Sequence, residues 1–174
     1  MPACAVTLVN NFTRPCRTQG GIAEIKVAAW RDPATTTGFA NTNATVTLTG
    51  IALTDWFTLY CETKTGKFTI AGATDRQAGT YSYTQTVEWK YNALSTELIT
   101  EMPLLQKDNL HVAVKMNSGK YYLIGYRYGA MFTPAFDSGV AYTDSTAVTG
   151  TFVADENEYP VFEISQAVYD ALVN

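Results

Sequence analysis

NSGKYYLIGYRYGAMFTPAFDSGVAYTDSTAVTGTFVADENEYPVFEI, residues 117–164, decides the fold class. Four turn-forming points break it: Asn117-Ser118-Gly119, Gly129, Asp137-Ser138-Gly139 and the DENE of residues 155–158. Gly, Asn, Asp and Ser supply the left-handed or side-chain-bonded conformations that chain reversals need. Short β-branched and aromatic runs lie between the turns, so the stretch reads as a β-meander. Its first hairpin joins residues 110–116 (LHVAVKM) to 120–126 (KYYLIGY). Residues 147–154 pair next, and 159–164 close the array. No cluster of catalytic residue types falls inside it.

Upstream, residues 80–91 (TYSYTQTVEWKY) form the longest strand-like run. One face carries Tyr81, Tyr83, Gln85, Val87, Trp89 and Tyr91, and the other Thr84, Thr86, Glu88 and Lys90. That period of two marks a strand whose aromatic face needs a partner surface. Residues 22–30 (IAEIKVAAW) read as a strand and 31–43 (RDPATTTGFANTN) as a loop. Residues 44–53 read as a strand with a turn or bulge at Gly50. Residues 56–62 (WFTLYCE) and 67–71 (KFTIA) flank TKTG and read as a hairpin; 73–79 read as a further loop.

Leu94, Leu98, Met102 and Leu105 recur on one side of a helix. Asn92 or Ser95 can cap it, Glu97 and Glu101 suit its early turns, and Pro103 should kink or end it near Met102. Residues 165–173 add a helical turn or two, with Val168 and Leu172 on one side. One helix among many strands, with no βαβ alternation, predicts a mainly β chain: an antiparallel β-sandwich or barrel with one flanking α-helix. Residues 1–21, with Pro2, Pro15 and Gly20-Gly21, read as an N-terminal arm, and 22–174 as a single β-rich domain.

A chain of 174 residues can bury a sizeable core without a metal or disulfide. Only 16% of residues are charged, below the usual quarter, with Thr, Ser, Asn and Tyr in their place. Low charge with many aromatics suits a surface covered by neighbouring subunits. The net charge of −4 and the absence of a basic stripe argue against tight nucleic-acid binding. The nearest candidate, Arg14 to Arg17, is too short. No signal peptide and no membrane-length apolar run is read, so a product maturing in the cytoplasm is expected. Cys4, Cys16 and Cys61 have neither zinc nor disulfide-framework spacing. Cys4 and Cys16 can pair only if the arm forms a hairpin, and Cys61 reads as a small buried hydrophobe.

The inventory for chemistry is sparse. His111 is the single histidine and lies in an alternating strand, where it reads as a surface or satisfied core residue. Asp155, Glu156 and Glu158 form an acidic loop without calcium-loop spacing and read as a solvated turn. Glu62, Glu88 and Glu101 are candidate paired carboxylates by type alone. Gly125 and Gly129 open no helix, so no phosphate cradle is read. No catalytic, cofactor-binding or metal residue is assigned and no cofactor is expected. The aromatic face of residues 80–91 can stack sugars, but its period favours a packed core or subunit interface.

Residues 4–30, CAVTLVNNFTRPCRTQGGIAEIKVAAW, resemble the opening of structural proteins from phages of Bacteroidota, including crAss-like phages. Cys4, Cys16, Gly20, Gly21 and Ile22 fill the places expected there. The remainder is similar to a phage tail-tube fold. Its long strands before and after one helix correspond to residues 80–91, 94–105 and 110–116. The 117–120 hairpin, Gly125, Gly129, Ser138-Gly139 and Asp144 follow in the family's order, while 31–43 match weakly. The resemblance implies a non-enzymatic virion protein of the tail or head-to-tail region. It implies a hexameric or dodecameric homo-oligomeric ring around a DNA channel, beside neighbouring tail or portal-region proteins, with no membrane partner. A carbohydrate-binding β-sandwich on a virion or surface is the alternative, and an unrecognised hydrolase a third.

Overall fold

The strand LHVAVKM, β7 (Leu110–Met116), is apolar on both sides of its pleat, and the fold is built around it. Leu110, Val112 and Val114 face one core, while Ala113 faces a second. A strand buried on both faces must be central, and β7 is flanked by β1 (Ile22–Ala29) and β8 (Tyr121–Ile124), both antiparallel to it. The computed structural model describes residues 20–61, 65–75, 77–92, 95–138 and 146–174. The other strands are β2 (Phe39–Thr42), β3 (Thr45–Leu48), β4 (Phe57–Leu59), β5 (Lys67–Asp75), β6 (Thr80–Tyr91), β9 (Ala130–Asp137), β10 (Ala147–Glu156) and β11 (Phe162–Ile164). The helices are α1 (Thr96–Leu105) and α2 (Gln166–Asp170), so a second short helix joins the single flanking one expected.

The chain is mainly β, with a mostly antiparallel open sheet in the order β2-β3-β11-β8-β7-β9-β10-β6-β5. Among the described residues β4 attaches to β1 alone, and β11 runs parallel to β3. The first core gathers Ile25, Val27, Val87, Trp89, Val148 and Phe152, with Met102 of α1 against it. The second gathers Val46, Leu48, Trp56, Leu123, Phe162 and Tyr169. Gly150 of β10 lies under the Phe132 ring, where an added Cβ would meet Cε2 at 2.4 Å. Here glycine is needed for close approach. On β1, Lys26 donates to the carbonyls of Tyr169 and Leu172 at the end of α2, at 3.1 and 3.0 Å. A cation there suits the negative end of a helix.

Several expectations change. The 110–126 hairpin forms, but the meander does not continue in order: β9 returns to β7, at a single pair Leu110–Ala130, and then pairs fully with β10. β10 also pairs with β6 rather than with β8. Two reversals at positive φ, Gly125 and Gly129, redirect the chain. Pro134 is accommodated in β9 because that strand's other edge is almost unpaired. The 56–62/67–71 hairpin is absent: β4 pairs with β1, and β5 with β6. Gly66 lies at the start of β1, its O accepting from Ile22 N at 3.4 Å.

Part of the 31–43 loop is β2, held by β3 across Asn43, a residue type that tolerates its φ of 55°. The 73–79 loop is shorter than expected, since β5 continues to Asp75. The final strand is only three residues. α1 starts at its Ser95 cap, whose side chain accepts from Leu98 N, and runs through Pro103 to Leu105 rather than ending near Met102. The carbonyl Pro103 leaves without a donor belongs to exposed Ile99, where water can replace it. Leu94, Cys4, Cys16, Glu62, Asp144 and most of the 1–21 arm lie outside the described residues.

Candidate functional site

Two features stand out: a polar knot beneath the corner at residues 125–129, and an apolar groove beside α1. The knot is built from strand residues whose period turns them inward. On β10, Val148, Gly150, Phe152, Ala154 and Glu156 alternate as buried positions, so Glu156 shares the core face. Its Oε1 accepts from Arg127 N at 3.0 Å, and Oε2 has no hydrogen bond of ordinary geometry among the described residues. Burial pushes the Glu156 carboxyl above the ordinary range, against the pull of the Arg127 backbone and charge. Gln85 on β6 accepts from Gly125 N at 3.3 Å and donates to Pro160 O at 2.8 Å. Arg127 pairs with Glu158, and Asn157 Nδ2 donates to the Tyr128 hydroxyl at 3.2 Å. The acidic loop is therefore only partly the solvated turn expected. Glu156 is buried and organises the corner, while Asp155 stays exposed and accepts from Thr84 Oγ1 at 2.6 Å.

His111, on the other face of β7, lies among the rings of Phe39, Trp30 and Trp56, with centroids at 5.2, 6.4 and 6.4 Å. Its Nε2 lies 3.1 Å from Arg31 N and 3.0 Å from Arg31 O, accepting from the former in one tautomer and donating to the latter in the other. Nδ1 has no hydrogen bond of ordinary geometry. Burial lowers its pKa to about 4, although the backbones of Arg31 and Gly125 favour the charged form. A buried, neutral imidazole held by the Arg31 backbone and ringed by aromatics is a core residue, as expected, and a poor proton acceptor for a substrate.

The other candidates do not converge. Glu88 faces outward and lies 3.7 Å from Lys67, while Glu101 lines the groove. Cys61 is buried beside Gly66. Among the described residues no three His, Cys, Asp or Glu side chains come together for a metal. No helix among them is long and apolar enough to cross a membrane. The aromatic face of β6 is largely core: Trp89 is buried, stacks with Tyr91 at an interplanar angle of 1°, and donates from Nε1 to Tyr60 O at 2.6 Å. Tyr81 remains exposed and Tyr83 half-buried.

The groove lies between β1, β4 and α1 and encloses about 550 Å³. Phe57, Leu59, Leu98 and Leu104 supply its apolar surface, with Phe57 and Leu104 about half exposed. Glu97, Glu101 and Asp108 line it too, and no Lys or Arg does among the described residues. The backbone at the start of α1, helped by Ser95, holds the Glu97 carboxyl below the usual range, so it stays charged. The sequence pattern of Leu94, Leu98, Met102 and Leu105 on one side of the helix does not foretell this groove; the signal it offered was Leu104, an apolar residue outside that pattern. Comparison with protein-family models, curated proteins and solved structures finds no match.

Proposed function

We propose that this chain is a structural subunit of a phage virion, forming a hexameric or dodecameric ring of the tail or head-to-tail region around the DNA channel. In this reading the open sheet is completed as a sandwich or barrel, tail-tube-like, by the edges of neighbouring copies. One observation carries the assembly part of it. β5 is nine residues long, pairs only with β6 among the described residues, and has no charge between Lys67 and Asp75. A long, neutral, exposed edge is a template for another strand unless something covers it. A ring of copies removes such edges by closure. The phage assignment itself rests on the resemblance of residues 4–30 and the order of turns in 117–164.

Negative-stain images and mass photometry of the purified chain test the proposal. Round particles with a central pore are expected, and a monomer at high concentration overturns it. Ala71→Lys places a charge on the exposed edge and should give folded monomers, seen as native circular dichroism with loss of the ring mass. The carbohydrate-binding alternative has less to rest on, since most of the β6 aromatic face is spent on packing within the chain.

A further inference from the structure

The groove beside α1 is an apolar surface with an uncovered strand edge. β4 pairs only with β1 among the described residues, and Phe57 and Tyr60 beside it are exposed. Its carboxylates Glu97, Glu101 and Asp108 have no basic neighbour in the lining. An occupant should therefore be apolar, carry positive charge and lack acids.

The chain itself contains such a segment. Residues 1–19, MPACAVTLVNNFTRPCRTQ, carry Arg14 and Arg17 and no Asp or Glu. Val6, Leu8, Val9 and Phe12 supply apolar side chains. We infer that the groove receives residues 1–19 of a neighbouring copy, with the apolar part against Phe57 and Leu104 and the arginines beside the three carboxylates.

Placement favours a neighbour over the same chain. Gly20 O accepts from Asn117 Nδ2 at 3.1 Å, beside the β7–β8 turn. The groove lies at the other end of the β1–β7 pair, where Ala29 faces Leu110. A segment folding back on its own chain would spend about eight residues next to Gly20 retracing β1, roughly 25 Å, which leaves Arg14 and Arg17 along β1 and short of the carboxylates. Nineteen residues reach at most about 65 Å, enough to cross to an adjacent subunit. The inference deepens the ring proposal and rests on its premise that copies meet.

The native arm thiols, Cys4 and Cys16, provide the test. A full-length chain with a mass tag is mixed with a second full-length chain carrying Cys4→Ser, Cys16→Ser and Leu104→Cys, and a short bis-maleimide is added. Leu104 is about half exposed, so its replacement should leave the fold intact. A cross-link between tagged and untagged chains is expected. It should be lost in Glu97→Arg/Glu101→Arg and regained when Arg14→Glu/Arg17→Glu is placed on the partner, because reversal of both signs restores the pairing. No cross-link between chains overturns the inference. In a third chain, Leu104→Cys with Cys4 and Cys16 kept, a link formed only within the chain also overturns it. Mass photometry of the native chain separates the two proposals: pore-bearing rings without the cross-link leave the ring standing and remove the groove contact. Cross-linked pairs without rings do the reverse.

Discussion

His111 shows how one side chain reports on its surroundings. Its folded pKa of about 4 lies below the ordinary 6.5 because burial disfavours the cation. A lowered histidine pKa gives stability that is complete above the unfolded value and is lost as pH falls from about 6.5 to about 4. The full loss is about 3 kcal/mol. Urea denaturation across that window should therefore show falling stability in the native chain and a flatter profile in His111→Gln. Equal slopes would mean the ring is not buried neutral. Glu156 acts in the opposite sense: its raised pKa favours the protonated carboxyl, so its contribution is present at low pH and lost as pH rises through its folded value. Gly150 gives a second test at this scale. Alanine normally gains over glycine in a strand, yet here its Cβ would press on Phe132, itself confined by Phe152 at a centroid distance of 4.6 Å. Overpacking should win, so Gly150→Ala is expected to lose about 1–3 kcal/mol in the same denaturation experiment.

Whether an element was legible depended on whether its side chains record its partners. β6 was read with its correct ends because an unbroken period of two runs along it. Asn92 and Ser95 are both legible as caps because the physics of a helix start is local, and the structure uses Ser95. β2 was missed because three of its four residues are exposed, so no alternation betrays it, and β3 alone holds it. Three residues of β4 cannot specify β1 rather than β5 as partner. Glu156 was hidden by its neighbours: DENE looks like a solvated run, and only the alternation of β10 carried through residue 156 reveals its inward face. Pro103 misled for the converse reason. Its local cost is real but was outweighed by Met102 and Leu105 packing against the core. That residual cost is measurable. Pro103 is exposed, and proline in a helix interior costs ~3 kcal/mol relative to alanine. With two helical residues remaining beyond it, Pro103→Ala should raise stability by about 1–2 kcal/mol, read as a higher denaturation midpoint. A lower midpoint would mean the proline ring itself is part of the helix's seat.

At the scale of the whole molecule, stability and assembly draw on different parts of the chain. Among the described residues, the members of both cores run from Ile22 to Leu172, with β7 contributing to each. Gly20 and Gly21 are held at the β7–β8 turn by Asn117, whose Nδ2 donates to Gly20 O at 3.1 Å and whose backbone N donates to Gly21 O at 3.0 Å. Among the described residues the exposed features are the β5 edge beyond its pairing with β6 and the carboxylate-lined groove. In the proposed assembly the first 21 residues serve contacts between copies, and the cores are built without them. Removing residues 1–21 should accordingly leave a cooperatively folding chain with nearly native thermal stability, while ring particles are lost. Light scattering beside a thermal melt separates the outcomes. Normal rings from the truncated chain would place the subunit contacts elsewhere, on β5 alone. Loss of the folding transition would mean the arm is part of the fold and not a connector.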